Sequence, residues 1–223
     1  MSDTMSTGEL ADEDTRAGET ILEVDGLTKH FSDSGGFLSG LFGEQKPVRA
    51  VEDVSFSIRK GETLGLVGES GCGKSTLARA ILRLVEPTDG TVYFKGENLT
   101  TLGGEDLRAQ RRDVQMIFQD PQSSLDPRMK IGPIVEEPMK AHGLYDADGR
   151  EQRARELLEK VGLDPQHYNR HPHAFSGGQR QRVNLARALS VNPDFIVCDE
   201  PVTALDVSIQ AQVLNTMRSL QDE

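Results

Sequence analysis

Residues 68–75 read Gly68-Glu69-Ser70-Gly71-Cys72-Gly73-Lys74-Ser75 and match the spacing G-x-x-x-x-G-K-[ST] in full. Glycines at 68, 71 and 73 let the backbone curl, so that N–H groups from Ser70 to Thr76 can wrap an anion. A helix opening at Lys74 would aim its positive end at the same point. Lys74 then offers a charge to the β- and γ-phosphates of a nucleotide, and Ser75 an oxygen to Mg²⁺. A chance glycine-rich turn is the alternative. The apolar run Thr63–Val67 before the loop and the helical pattern after it argue against that reading.

A second group of candidates lies far downstream. Phe195-Ile196-Val197-Cys198 is an apolar strand that ends in Asp199-Glu200. Beside a phosphate loop, Asp199 can hold Mg²⁺, and Glu200 can polarise an attacking water as general base. Between the two groups stands Phe175-Ser176-Gly177-Gly178-Gln179. Ser176 alone reads as an ordinary helix N-cap. Gly177, Gly178 and Gln179 are not explained by a cap. They make physical sense if two copies of the fold close face to face on a nucleotide.

Alternating apolar residues predict strands over Ile21–Phe31 and Val48–Ile58, and shorter ones over Thr63–Val67, Thr91–Lys95, Val114–Phe118 and Phe195–Cys198. Helices are expected over Lys74–Leu84, Gly177–Leu189 and Ser208–Leu220, and over Arg150–Val161 within a helical region from Pro121 to Ala174. The stretch Ser32–Pro47 reads as a long hairpin connection that tucks Phe37, Leu38, Leu41 and Phe42 against the sheet. Residues 1–20 are polar and acidic and read as a disordered tail. Alternation of strand and helix around a phosphate loop implies a mixed α/β core with a helical insert.

The bulk numbers exclude several classes. A net charge of -11 over 223 residues argues against a broad nucleic-acid footprint. Arg108, Arg111 and Arg112 read instead as a solvated helix face. No apolar run is long enough to span a membrane, and no signal peptide opens the chain. The two cysteines, Cys72 and Cys198, have no framework spacing and read as small buried thiols in a reducing cytoplasm. His167, His171 and His173 have no nearby cysteine to complete a zinc site.

Taken together, the chain resembles the ATP-binding subunits of ABC transporters, and within them the oligopeptide/dipeptide and nickel importer branch. The resemblance covers about residues 21–223. It rests on GESGCGKST (68–76), MIFQDPQSSLDPR (116–128), HPHAFSGGQRQRVNLARAL (171–189) and CDEPVTALDVSIQAQVLN (198–215). It implies an α/β fold of ABC ATPase type: a P-loop NTPase core with a mixed sheet, an N-terminal antiparallel β subdomain and an inserted α-helical subdomain. The core would be residues 21–120 and 176–223, and the insert residues 121–175. The cofactors implied are ATP and Mg²⁺.

Residue by residue, Phe31 resembles the aromatic that stacks on adenine, with a strand-end core residue as the alternative. Gln119 resembles the glutamine that touches Mg²⁺ and the lytic water and senses the membrane subunit. Ser176 to Gln179 resemble the signature that grips the γ-phosphate of ATP bound to the other protomer. Asp206 resembles the aspartate that crosses the dimer interface. The implied partners are a second ATPase subunit (identical or homologous), transmembrane permeases, and indirectly an extracytoplasmic substrate-binding protein, with this chain itself peripheral at the cytoplasmic face of the cell membrane. Nucleic acid is not among them.

Departures from the pattern are also legible. Phe175 stands where the family has leucine. The family's switch histidine follows the next strand, whereas all five histidines here precede Asp199. The closing strand and C-terminal region are expected to be missing. Two other readings therefore stand beside transport: a soluble ABC ATPase of DNA repair or translation, and a fragment that binds nucleotide without turning it over.

Overall fold

The computed structural model describes residues 18–31, 47–120, 123–202 and 206–221. Most of the acidic tail and of the Ser32–Pro47 connection, with its four apolar residues, lies outside the described residues. Thr20, assigned to the tail by composition, is the first residue of a strand and pairs with Arg59.

Strand β1 (Thr20–Phe31) runs antiparallel to β2 (Val48–Arg59) and, on its other side, to β3 (Asp89–Phe94). A short β4 (Glu97–Asn98) completes the sheet in the order β2-β1-β3-β4. Lys95 and Gly96 both take positive φ, 50° and 79°, as a two-residue hairpin turn demands. The alternation of β1 sends Leu22, Val24 and Leu27 inward. There they meet Val92, Phe94 and the apolar face of α1 (Lys74–Ile81).

A second sheet holds β5 (Val114–Ile117), fed by α2 (Gly104–Asp113), and β6 (Phe195–Cys198), paired in parallel. Parallel and antiparallel ladders are thus both present, but in separate sheets. The reason is Thr63–Val67, which does not form the expected strand. Neither sheet takes up its backbone groups, and Leu64, Leu66 and Val67 are exposed.

The two sheets are tied at one corner. Lys95 Nζ donates to Asp113 at 2.8 Å and also to Asp194, and the Asp194 N–H donates to the Asp113 carbonyl at 2.9 Å. The hydrogen bond to Asp113 is the main reason the Lys95 ammonium is held above its ordinary pKa. The rings of Phe94 and Phe195 lie 6.4 Å apart across the same junction.

Helices α3 (Ile131–Ala141), α4 (Ala147–Lys160) and α5 (Gly177–Leu189) form the insert and its exit, with 3₁₀ turns at Pro165–Asn169 and Pro172–Ala174. Ile134, Val135, Met139, Leu157, Leu158 and Val183 close into one core. Within it Glu136 is buried but satisfied, by the Tyr168 hydroxyl and by Lys140 at 2.9 Å. Helix α6 (Val207–Gln221) joins this core through Met217 and Leu220.

Helix ends follow local chemistry. At Arg83, Gly143 and Gly162, residues of positive φ return N–H groups to the last turns of α1, α3 and α4. Arg83 in this left-handed position is why α1 ends at Ile81 and not at Leu84. The arginines of α2 serve as ties: Arg108 donates to the Ala141 carbonyl at 2.6 Å and Arg111 to that of Arg83 at 3.1 Å.

Candidate nucleotide site

The site is assembled by the register of β5 on β6. Ile117 pairs with Cys198, and the Asp199 N–H continues the ladder to the Ile117 carbonyl at 2.9 Å. The residues just beyond then stand side by side. Asp199 is buried and its Oδ1 accepts from the Ser75 hydroxyl at 2.7 Å. The Gln119 amide donates to the Glu200 carboxylate at 2.8 Å. Two parts of the chain that are far apart in sequence are thus joined at one strand edge.

The loop before α1 has the chemistry of an anion cradle. Gly71 and Gly73 take φ of 82° and 100°. Helix α1 opens at Gly73 with no side-chain cap and no acidic residue in its first turn, so its N–H groups and positive end stay available. Lys74 folds back, donating to the carbonyls of Gly68 at 2.9 Å and Glu69 at 2.8 Å, with the Cys72 sulfur at 3.9 Å. Its ammonium is held inside the loop it would share with a phosphate. Ser70 and Cys72 are exposed on this loop, and Thr76 is half-buried on the first turn of α1.

Cys72 and Cys198 part company here. Cys198 is half-buried, and burial pushes its thiol up to about 12. Cys72 is exposed, contrary to the expectation of two buried thiols. A loop that leaves its backbone open to a ligand cannot also bury a side chain at that position.

Phe31 is 42% exposed at the end of β1, with the Lys29 ammonium 5.0 Å from its ring. The core alternative for this residue is therefore set aside. Its strand partner is Val48, two residues before Ala50, whose carbonyl abuts Gly73. The ring thus stands on the same edge as the phosphate loop.

Ser176 caps α5 with a reciprocal capping box. Its hydroxyl accepts from the Gln179 N–H at 3.4 Å, and its own N–H donates to the Gln179 side chain at 3.0 Å. Ser176 is exposed, whereas Phe175 is buried edge-on to His167 at 5.1 Å. Gly178 is buried too: a Cβ there would lie 2.4 Å from Ile209, so its glycine lets α6 approach α5. Gly177 stays partly open beside the cap. Asp206 is exposed, and its carbonyl accepts from Ile209 and Gln210 at the start of α6. The rings of His171 and His173 stack on each other at 5.6 Å.

Two arginines were given no role at the site by the sequence reading. Arg79, one turn after Ser75 on α1, brings its guanidinium to 3.8 Å from Asp199 Oδ2. Arg187 donates to the Ser124 carbonyl at 2.7 Å, and burial lowers its pKa. Both line a cleft of about 460 Å³ together with Phe118, Gln119, Asp120, Ser123 and Ser124. Only the one-turn spacing of Ser75 and Arg79 could have signalled the first. Nothing in the sequence signals the second.

With this geometry in place, comparison with known proteins is decisive. The ABC transporter family profile matches residues 51–203, more than half of the chain. The chain belongs to the ABC transporter family. It is 52% identical over 206 residues to the oligopeptide transport ATP-binding protein AppF of Bacillus subtilis, covering 92% of this chain and 62% of that one. It is 54% identical over 207 residues to OppF of the same organism, covering 92% and 65%. The chain thus spans about three fifths of the length of these curated relatives. Among solved structures, the dimeric post-hydrolysis state of the ATP-binding cassette MJ0796 bound to ADP and Pi matches with a TM-score of 0.77 and 31% identity. That match covers 91% of this chain and 83% of that one.

Proposed function

We propose that this cassette binds and hydrolyses ATP to drive an importer of oligopeptides or dipeptides. The observation that carries the reading is the β5–β6 register, which sets Gln119 against Glu200 and delivers Asp199 to Ser75. The loop from Gly68 to Thr76 and Lys74 would hold the phosphates, and Phe31 would offer its open ring to the adenine.

The residues suit Mg²⁺. Asp199 Oδ2 is buried without a hydrogen bond, and the neighbouring donors are hard oxygens: the Ser75 hydroxyl, the Asp199 carboxylate and the Gln119 amide oxygen. When bound, the ion would neutralise charge developing on the β- and γ-phosphate oxygens. Glu200 takes the proton of the attacking water as general base. Ser176 and Gly177, at the positive end of α5, would cap the γ-phosphate held by a second cassette, with Asp206 near the interface.

The names of the relatives support peptides as cargo, and transport would seat this cassette at the cytoplasmic face of the membrane against transmembrane permeases that an extracytoplasmic binding protein supplies. The test is uptake. Source cells lacking this gene should lose most uptake of a labelled oligopeptide, regain it with the full chain, and keep their sugar uptake. Peptide uptake unchanged in the deletion would contradict the assignment.

A further inference from the structure

Asp199 is held from one face of α1. Ser75 and Arg79 lie four residues apart on that helix and so share a face. The Ser75 hydroxyl donates to Oδ1 at 2.7 Å, and the Arg79 guanidinium stands 3.8 Å from Oδ2, within ion-pair reach but too far for a hydrogen bond. The Asp199 side chain is only 3% exposed, and Oδ2 has no hydrogen-bond partner among the described residues. A carboxylate buried this far is costly unless a charge balances it. Lys74, the nearby cation of the loop, turns its ammonium to the carbonyls of Gly68 and Glu69. Among the described residues, the cation paired with Asp199 is Arg79.

Arg79 also has room to leave. Its side chain is exposed on one side and lines the cleft of about 460 Å³. A divalent cation held by Oδ2 would meet the guanidinium at close range, where like charges in a partly buried site repel strongly. We propose that Arg79 is a placeholder cation: it balances Asp199 until a divalent ion arrives, then yields Oδ2 and withdraws into the cleft. This rests on the reading of Asp199 as the residue that holds Mg²⁺. Arg79 is a positioning residue, acting through Asp199 and touching neither nucleotide nor water.

The test compares the unchanged chain with Arg79→Met, Arg79→Lys and Asp199→Asn. Two quantities are read: the urea unfolding midpoint with neither metal nor nucleotide, and the Mg²⁺ concentration that half-saturates the response of a bound fluorescent ATP analogue. Arg79→Met keeps an apolar stem and loses the charge. It should lower the urea midpoint by about 0.5 M or more. It should also lower the half-saturating Mg²⁺ concentration about three- to tenfold, because the ion no longer competes with a resident cation. A merely structural arginine would give the first effect and not the second. Arg79→Lys should recover most of both. A midpoint that holds in Arg79→Met, or a Mg²⁺ requirement that rises or stays level, overturns the placeholder alone, provided that Asp199→Asn raises that requirement. If Asp199→Asn leaves the Mg²⁺ requirement unchanged, the metal reading of Asp199 fails first and the placeholder falls with it.

Discussion

Glu200→Gln is expected to cut ATP turnover by about 10²- to 10⁴-fold, the range spanned by a positioned general base. The substitution keeps shape and length, so the β6 end should remain in place. Gln at 200 can still accept a bond from the Gln119 amide, which now lies 2.8 Å from the carboxylate. What it cannot do is take a proton. Nucleotide affinity should hold, because Lys74, Ser75 and the glycine loop are untouched. Steady-state phosphate release, read against binding of a fluorescent ATP analogue, separates the two effects. Loss of binding together with turnover would mean that Glu200 holds the loop together and does not act in the chemistry.

Gly73→Ala should be the most damaging single methyl group in the phosphate loop. Gly73 takes φ 100°, and a Cβ there would sit 2.0 Å from the carbonyl oxygen of Ala50. That atom is backbone of β2, so no side-chain rotation relieves the clash. Left-handed strain and overpacking each cost about 1–3 kcal/mol, giving roughly 2–6 kcal/mol together. Either β2 or the start of α1 must move, and both define the cradle. Urea unfolding should show the loss, and nucleotide binding should vanish with it. Gly71→Ala is the control: φ is 82° there too, yet nothing lies within 4 Å of its Cβ. It should cost only the strain term, about 1–3 kcal/mol. Equal effects at the two positions would show that the close approach of Ala50 does not matter.

Much of this was legible because it is local. Helix α5 starts at Gly177 as expected, but Gln179, which the sequence reading set apart from a cap, is the reciprocal partner of Ser176 in a capping box. Alternation located β1, β2 and β6 to within a residue or two. The Gly68–Thr76 loop and the Asp199–Glu200 pair stand out by residue type and spacing alone, and the structure joins them through Ser75 and Asp199. What the sequence hid depends on neighbours. Thr63–Val67 has the composition of a strand, but a strand exists only where another backbone takes up its N–H and C=O groups, and among the described residues neither sheet does. The meeting of Gln119 with Glu200 follows from strand register, which no short window encodes. Gly178 looked like bare backbone for a phosphate, whereas packing against Ile209 gives it a structural duty.

The central claim is that one molecule's glycine loop and a second molecule's Ser176 enclose the same nucleotide. The most direct measurement is the molar mass of the Glu200→Gln chain by sedimentation velocity, with and without ATP and Mg²⁺. Mass should double on adding ATP, stay single with ADP, and stay single with ATP when Ser176 is also changed to Arg. A chain that binds ATP through Lys74 yet sediments as a single copy at every nucleotide concentration would contradict the claim.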